Sequence, residues 1–408
     1  MLIEFTVGNY LSFKEKKTLS MEATAIKDNP GNVIDAGKYK LLRSVVLYGA
    51  NSSGKSNFIK AMSKMWGMVM WSAKESSTSE IDLTPFLLSA ETGGKPSYFE
   101  IVFLIGDIRY RYGFEADKKM IHSEWLFESK VKKEKPLFLR DKNVIEVTDD
   151  FEEGKGIEEK TRDNALFLSV VDQFNGIISK KIMKWLKNQI IFSGLQHEEM
   201  KGLTSKFLEN KGLTTQIKDF LTPLNLGFHD FSLVELDENK NRIVTYHSKY
   251  DNKGKVIGKY EFDLLKQESS GTNKLYDMAG SLTCGLELGT LTVIDELDAK
   301  LHPLLTMAIV KLFNSPEHNK NNGQLVFATH DTNLLTHGGF RRDQIYFTEK
   351  NRLEATDMYS LVEYREPDGT KIRNDRSFEK DYIAGRYGAI PYIGDFSKLI
   401  NDGKSSED

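Results

Sequence analysis

Hydrophobic and polar residues recur with different periods along the chain, and the first third has the alternation of β-strands. Residues 2–7 alternate, and residues 41–48 form the continuous apolar run of a buried strand. Residues 98–105 and 108–114 have strand patterns on either side of Gly106-Asp107, a pair typical of a two-residue hairpin turn. Short alternating pieces continue to residue 160, which predicts the edge of an antiparallel sheet.

Helical periodicity replaces this alternation after residue 164. From 176 to 224 apolar residues recur at spacings of three and four, which predicts a helical segment. Alternation returns at 231–236 and again at 260–265, after a turn at 252–254. Between 269 and 348 the buried strand patterns 291–294 and 324–328 alternate with helical ones. This order predicts a second core with a parallel sheet.

These changes of period predict an α/β protein with a mixed sheet, an antiparallel β subdomain and a helical insert. We divide the chain into an N-terminal lobe over 1–160, a helical insert over 161–228, a C-terminal lobe over 229–348 and an extension over 349–408.

Composition excludes several classes of protein. With 408 residues, 39% hydrophobic and 28% charged, the chain has a globular composition, and no apolar run approaches the ~18 residues of a membrane span. We therefore expect no membrane contact and a cytoplasmic location. The one cysteine, Cys284, excludes an internal disulfide framework and a cysteine-rich zinc site. A net charge of −3 gives no global field that attracts nucleic acid.

Residues 49–56 read Gly-Ala-Asn-Ser-Ser-Gly-Lys-Ser, which satisfies the phosphate-loop pattern between a buried strand and a helix. Backbone N–H groups of such a loop cradle phosphates, the lysine reaches the β and γ oxygens, and the serine hydroxyl ligates Mg²⁺. The sequence therefore predicts binding of ATP and Mg²⁺. The residues assigned to this loop are Gly49, Ala50, Asn51, Ser52, Ser53, Gly54, Lys55, Ser56 and Asn57.

The apolar strand 291–294 ends in two acids, Asp295 and Glu296. An acid at the end of a buried strand is costly unless a cation balances it. We expect Asp295 to hold Mg²⁺ through its water shell and Glu296 to act as the general base on the attacking water. The alternative for Glu296 is an N-cap of the following helix.

Two further segments are ambiguous when each is taken alone. Ser269-Ser270-Gly271 precedes an amphipathic helix, and such a turn is more often a helix N-cap. His330 ends the buried strand pattern 324–328, and a single histidine at a strand end is more often structural.

The order of phosphate loop, Ser-Ser-Gly, acid pair and histidine resembles the ABC-type ATPase head, over residues 2–65 and 264–348. The resemblance implies two copies closed face to face around ATP, as a homodimer or higher oligomer. It implies that Ser269, Ser270 and Gly271 of one copy contact the γ-phosphate bound by the other. It also makes Asp298 the acid of the D-loop and His330 a catalytic switch beside Glu296 and Lys55. For the glutamine that joins Mg²⁺ to the helical insert we choose Gln173 over Gln196.

Within that class the chain resembles the compact ATPases of bacterial antiphage defence, of the RloA and AbiLi kind, which are related to the ATPase half of OLD nucleases. Gly8-Asn9-Tyr10-Leu11-Ser12-Phe13 is similar to an opening motif of SMC proteins, but roughly 210 residues without sustained heptads separate Lys55 from Ser269, which excludes a long coiled coil. The motifs that carry the closer resemblance are 294–303, 329–335 and 378–391. This resemblance implies a separate effector protein, often a Toprim-like nuclease, under the control of the ATPase.

Two alternatives remain open at this stage. The first is an ATP-dependent DNA clamp of the RecF type, which would bind DNA tightly and with strong salt dependence. The second is an interaction scaffold with a nearly idle ATPase. The net charge of −3 favours the regulatory ATPase, with nucleic acid as a possible further contact.

Overall fold

The computed structural model describes residues 1–130, 133–193, 197–209, 213–237, 240–366, 368–373 and 376–391, with the backbone alone at 197–202, 235–237 and 240–241. The strands in chain order are β1 Leu2–Gly8, β2 Lys17–Ser20, β3 Val33–Ala36, β4 Tyr39–Leu42, β5 Ser44–Tyr48, β6 Ser97–Ile105, β7 Ile108–Ala116, β8 Ile121–Ser129, β9 Lys135–Asp141, β10 Val144–Val147, β11 Ile190–Ser193, β12 Asp230–Asp237, β13 Lys240–Tyr250, β14 Val256–Asp263, β15 Leu291–Asp295, β16 Gln324–Ala328, β17 Ile345–Lys350 and β18 Thr356–Ser360. The α-helices are α1 Lys55–Trp71, α2 Phe167–Gln173, α3 Ile177–Lys187, α4 His197–Glu209, α5 Thr214–Leu221, α6 Leu264–Gln267, α7 Ser270–Leu288, α8 Pro303–Asn314, α9 Asn333–His337 and α10 Phe378–Ile383.

A seven-stranded antiparallel sheet of order β10-β9-β8-β7-β6-β1-β2 forms most of the N-terminal lobe. The predicted hairpin is present, since Ile105 pairs with Ile108 across a turn in which Gly106 has φ +59°. Apolar side chains of this sheet share one core with α1, α2 and α3, and Phe5 and Phe58 pack edge to face there with centroids 5.4 Å apart. The predicted antiparallel subdomain is confirmed.

The central sheet has six strands in the order β11-β15-β16-β5-β17-β18. Its first five strands are parallel and β18 runs antiparallel to β17, so the sheet is mixed, as the sequence predicts. The predicted second core does not have a parallel sheet of its own, because β15 and β16 join the sheet that contains β5. The N-terminal strand β5 lies between β16 and β17 from the C-terminal part of the chain, and all five parallel strands end at the same edge.

Two local predictions also differ from the structure. The run 41–48 is divided at Arg43 into β4 and β5, and the Arg43 side chain donates to the carbonyls of Gly31 and Asn319, each at 3.1 Å. The segment predicted as helical over 176–224 contains the strand β11, parallel to β15. A short apolar run such as Ile190-Ile191-Phe192 fits a helix or a strand equally well, and here pairing with β15 determines the outcome.

A second core lies on the other face of the central sheet. It joins Val46 and Tyr48 of β5 to α7, α8 and the sheet β12-β13-β14. The hydrophobic face of α7 is buried here because the helix packs between α4, α5 and β15. No helix in the described part of the chain combines the length and apolarity needed to cross a bilayer.

Candidate functional site

The phosphate loop turns sharply between β5 and α1. Two of its positions must be glycine because a side chain there would clash with neighbouring atoms. Gly54 has φ +119°, and a Cβ there would lie 2.2 Å from Oγ1 of Thr356. Gly49 has φ +157°, and a Cβ there would lie 2.4 Å from the carbonyl oxygen of Thr348. Ser52 also takes a left-handed conformation, with φ +64°. The loop therefore wraps tightly over the β17–β18 hairpin, and α1 begins directly behind it.

The β17–β18 hairpin supports the loop from below. Thr348 Oγ1 lies 2.6 Å from Ser53 Oγ and donates to the carbonyl of Tyr48. Thr356 Oγ1 lies 2.9 Å from the carbonyl oxygen of Ser53 and 2.8 Å from Ser12 Oγ. No local sequence pattern marks either threonine as part of the site, since both are about 300 residues from the loop in sequence.

Ser12 joins the N-terminal motif to the same site. Its hydroxyl accepts from Asn57 Nδ2 at 2.8 Å, and its carbonyl accepts from the backbone N–H of Thr356 at 2.7 Å. Asn57 therefore binds the supporting segment, while Ser56 stands half-buried in the first turn of α1. The resemblance of residues 8–13 to an SMC opening motif thus corresponds to a contact with the phosphate loop.

Lys55 is buried, with 5% of its surface exposed, and its ammonium donates to the carbonyls of Gly49 at 2.7 Å and Ala50 at 3.1 Å. Burial lowers the pKa of Lys55 to about 8, and the charges of Asp295, Glu296 and Asp298 oppose that shift. Three acids that lie some 240 residues away in sequence therefore act on this ammonium. The structure brings the two predicted halves of the site together.

Asp295 ends β15 at the carboxyl edge of the central sheet. It is 9% exposed, and its Oδ1 is buried with no hydrogen-bond partner among the described residues. A buried carboxylate oxygen without a donor is costly, so a hydrated cation fits this position. The half-buried Ser56 hydroxyl at the start of α1 would supply the second oxygen ligand. The residues present therefore fit Mg²⁺, although no cluster of three or more acids, histidines or cysteines occurs in the described ranges.

Glu296 has φ +53°, an uncommon conformation for a residue with a side chain. It does not cap the next helix, because α8 begins at Pro303 and its N-cap is His302, whose Nδ1 accepts from the backbone N–H of Leu304. The N-cap alternative for Glu296 is therefore wrong. Strain of this kind occurs preferentially at functional sites, which agrees with a role in the chemistry.

Asp298 and His330 meet beside the acid pair. The backbone N–H of His330 donates to Asp298 Oδ2 at 3.3 Å, which joins the loop after β15 to the loop after β16. Burial lowers the pKa of His330 and the charge of Lys55 lowers it further, whereas Asp298, Glu296 and Asp295 act in the opposite direction. His330 therefore lies within the electrostatic reach of both Lys55 and the acids.

The residues predicted to cap a nucleotide lie at the start of α7. Ser269 is the N-cap, its Oγ accepts from the backbone N–H of Thr272 at 3.1 Å, and Ser269 and Ser270 are both exposed. Gly271 stands against the loop after β15, because a Cβ there would lie 3.0 Å from the carbonyl oxygen of Lys300. The N-cap interpretation of Ser269 is thus correct. The capping role leaves Ser269 and Ser270 exposed to solvent.

Lys274 is a site residue that belongs to none of the sequence motifs. Its side chain is fully buried, and its ammonium donates to the carbonyls of Glu296 at 3.2 Å, Leu297 at 3.1 Å and Ala299 at 2.5 Å. Burial lowers the pKa of Lys274 to about 8, against the charges of Asp298 and Glu296. A lysine on the apolar face of an amphipathic helix is the one signal by which the sequence marks it. The contact fixes the loop that carries Glu296 to the helix that carries Ser269.

Gln173 does not lie at the phosphate loop, and its assignment to Mg²⁺ is corrected here. Ser169 of α2 donates to the carbonyl of Val69 at 2.6 Å, so α2 packs against the C-terminal end of α1. A helix rises 1.5 Å per residue, so that end is about 20 Å from Lys55. Gln173 is exposed at the end of α2. Gln196 lies outside the described residues, three positions after Ser193, which pairs with Asp295 in the register of β11 and β15.

The C-terminal motif 378–391 packs against the same edge of the central sheet. Glu379 accepts from Thr336 at 2.5 Å, and the backbone N–H of Ala389 donates to Glu349 Oε2 at 3.0 Å. A cleft of about 210 Å³ separates Ala389 and Ile390 from residues 50–53 of the phosphate loop. Tyr387 is fully buried, with its ring centroid 5.5 Å from that of Phe347. This motif therefore joins α9, which follows His330, to β17 of the hairpin that supports the phosphate loop.

Comparison with known proteins gives one family and a set of solved structures. A family model described as "AAA domain, putative AbiEii toxin, Type IV TA system" matches residues 44–336. The SMC head domain from Thermotoga maritima has a TM-score of 0.43 and 14% identity, over 88% of this chain and 98% of that chain. An SMC head bound to the C-terminal winged-helix domain of ScpA has a TM-score of 0.44 and 13% identity, over 88% and 97%. No curated protein sequence matches the chain.

We predict that Lys55→Met stabilises the protein in the absence of nucleotide by about 2 kcal/mol at pH 7, because a buried ammonium is replaced by an apolar chain of similar length. The folded state lowers the pKa of Lys55 from 10.5 to about 8, so the penalty is complete below pH 8 and fades as the pH rises toward 10.5. Urea unfolding of both proteins from pH 7 to pH 10 measures the difference and its narrowing.

Lys60→Met, at an exposed lysine on the same helix, is the matched control and should leave the free energy of unfolding unchanged. A Lys55→Met variant no more stable than wild type at pH 7, or a difference independent of pH, would contradict the assigned burial penalty.

Proposed function

The chain belongs to the family of AAA domains described as putative AbiEii toxin of a type IV toxin–antitoxin system, and from this membership and the site we propose that it hydrolyses ATP between two copies of itself. In this proposal the closed pair controls a separate effector in antiphage defence. The observation that carries the proposal is the meeting of Lys55, Asp295, Glu296 and His330 at one edge of the central sheet, with Ser269 exposed on a neighbouring helix.

The phosphate loop and Lys55 bind the triphosphate. In the structure the Lys55 ammonium donates to the carbonyls of Gly49 and Ala50. Phosphate oxygens are stronger acceptors than carbonyls for an ammonium, so Lys55 exchanges these contacts for the β and γ oxygens as ATP enters. Asp295 and Ser56 would hold Mg²⁺, which when bound supplies neutralising charge to the β and γ oxygens.

Glu296 and His330 act on the γ-phosphate. Glu296 accepts a proton from the attacking water while the water oxygen bonds to the γ-phosphorus. The bond between the γ-phosphorus and the β–γ bridging oxygen breaks, which gives ADP and phosphate. His330 donates a hydrogen bond to the γ-phosphate, in the position that the resemblance assigns to the switch histidine. Its backbone contact with Asp298 joins that position to the loop of Glu296.

A second copy completes the site. The hydrogen bonds that the structure gives Ser269 go to Thr272 and Asn273 of its own helix, and its exposed face leaves it open to another chain. In the closed pair, ATP bound to one copy also contacts Ser269, Ser270 and Gly271 of the other. ATP therefore binds the closed pair more tightly than the separate copies, and this difference in affinity stabilises the closed pair. Hydrolysis removes this bias, and the pair opens.

We predict that Glu296→Gln binds ATP and forms a stable pair but loses at least about 100-fold of the hydrolysis rate, because the amide cannot accept the proton. Light scattering with ATP and Mg²⁺ should show twice the monomer mass for this variant, and phosphate release should be near zero. Rapid hydrolysis by Glu296→Gln would show that Glu296 is not the general base.

Mixing two inactive variants tests the composite site. Lys55→Ala has no working phosphate loop and Ser269→Arg has no working cap, so each alone should be inactive. In an equal mixture half of the pairs are mixed and each mixed pair has one intact site of two, which restores about a quarter of the wild-type rate. An inactive mixture, with both variants folded and Ser269→Arg still binding ATP, would show that the cap does not act in trans.

The effector is proposed from the resemblance of 294–303, 329–335 and 378–391 to compact antiphage ATPases, which points to a Toprim-like nuclease. Affinity purification of the tagged chain from its native host, with ATP present, tests this half of the proposal. We expect a nuclease to be enriched with wild type and with Glu296→Gln, and less with Lys55→Ala, which cannot close. Equal recovery of every host nuclease with all three proteins would contradict it.

A further inference from the structure

The hairpin formed by β13 and β14 extends into solvent near the start of α7, and its outer part, residues 249–260, differs from the rest of the surface. Four lysines and one aspartate give this segment a charge of +3, in a chain whose net charge is −3. The lysines are all exposed: Lys249, Lys253, Lys255 and Lys259. Tyr250, Val256, Ile257 and Tyr260 are each more than half exposed.

One of the four lysines, Lys259, acts electrostatically on the carboxylate of Asp230, which is itself paired with Lys218 at 2.6 Å. Within the described residues, no ion pair involves any of the four. The one acid of the segment, Asp251, uses its Oδ1 to accept from the backbone N–H groups of Lys253 and Lys255 at 2.8 and 2.9 Å, and so fixes the turn. The lysine ammonium groups therefore remain available to an external anion, on a turn whose shape does not depend on them.

We propose that the outer hairpin 249–260 binds nucleic acid and that this binding is relayed to Ser269. Exposed lysines on a two-stranded antiparallel ribbon supply the positive charge that a phosphodiester backbone attracts, and exposed tyrosines offer faces on which bases stack. A membrane fits less well, because an inserting hairpin carries apolar residues at its tip. Here the tip is Asn252-Lys253-Gly254, which is polar. The apolar residues Val256 and Ile257 follow the tip in sequence, at the start of β14.

The relay is a short chain of contacts from the hairpin to the capping serine. Tyr260 pairs with His247 in the register of β13 and β14. The His247 ring lies 2.7 Å from Glu268 Oε1, and Thr245 donates to the same oxygen at 2.5 Å. Glu268 directly precedes Ser269. His247 and Glu268 are therefore positioning residues: a shift of the hairpin moves the residue to which the capping serine is joined. This inference rests on the proposed function, in which Ser269 caps ATP.

Fluorescence anisotropy of the full chain with labelled duplex DNA, single-stranded DNA and duplex RNA tests the surface. We expect binding whose log K falls with log salt, and Lys253→Glu/Lys255→Glu should flatten the slope by ~0.9 for each lost phosphate contact. Lys118→Glu/Lys119→Glu is the matched control, since both lysines are exposed in the turn between β7 and β8. The three probes identify which nucleic acid the hairpin prefers.

Three results would contradict the proposal that the hairpin 249–260 binds nucleic acid. They are an absence of binding to all three probes at low salt, an equal loss in the control variant, and binding of anionic lipid vesicles in preference to every nucleic acid.

The relay is tested by the ATP-dependent pairing of chains in the Glu296→Gln background, with and without saturating duplex. We expect the duplex to change the pairing constant by about five-fold or more. Glu268→Ala should bind the duplex normally and lose this change, and Glu268→Gln should restore it, because the amide oxygen still accepts from His247 and Thr245. A Glu268→Ala variant with unaltered coupling refutes the relay. If the wild type does not pair with ATP at all, the proposed function fails, whereas the anisotropy result stands independently.

Discussion

The structure of the site depends on the burial of one ammonium group, that of Lys55. A buried charge is stable only where polar groups surround it, and here the carbonyls of Gly49 and Ala50 and the fields of Asp295, Glu296 and Asp298 do so. These groups stand at the ends of β5 and β15, which are separated by β16 in the central sheet. The environment of the lysine therefore depends on the adjacency of β15, β16 and β5, which brings the acids and His330 to it.

A second buried ammonium, that of Lys274, performs the corresponding task on the other side of the acid pair. It donates to three carbonyl groups of the loop after β15, those of Glu296, Leu297 and Ala299, and it stands on the helix that Ser269 caps. Each lysine has its pKa lowered to about 8 by burial. The loop of Glu296 is thus fixed between the phosphate loop of its own site and the helix that is proposed to cap the site of a partner. Any movement of that loop changes both.

Peripheral segments contact this arrangement at defined points. The β17–β18 hairpin and Ser12 support the phosphate loop through Thr348 and Thr356, and the C-terminal motif contacts both Glu349 and the helix after His330. The β13–β14 hairpin reaches the start of α7 through Glu268. In the proposed function, an effector or a nucleic acid bound at either periphery would act on the nucleotide through these few hydrogen bonds.

The sequence by itself determined the features that depend on residues close together in the chain. The phosphate loop, the acid pair after β15 and the hairpin at Gly106 follow from spacing alone, because backbone conformation and strand ends are local properties. Tertiary structure decided the features that depend on which strands pair. It placed β11 in the sheet instead of a helix, united two predicted cores in one sheet, and removed Gln173 from the site because α2 packs at the far end of α1. It also brought in Thr348, Thr356 and Lys274, whose contacts join segments between 22 and about 300 residues apart. No local pattern encodes such contacts, since long-range strand pairing and helix packing create them.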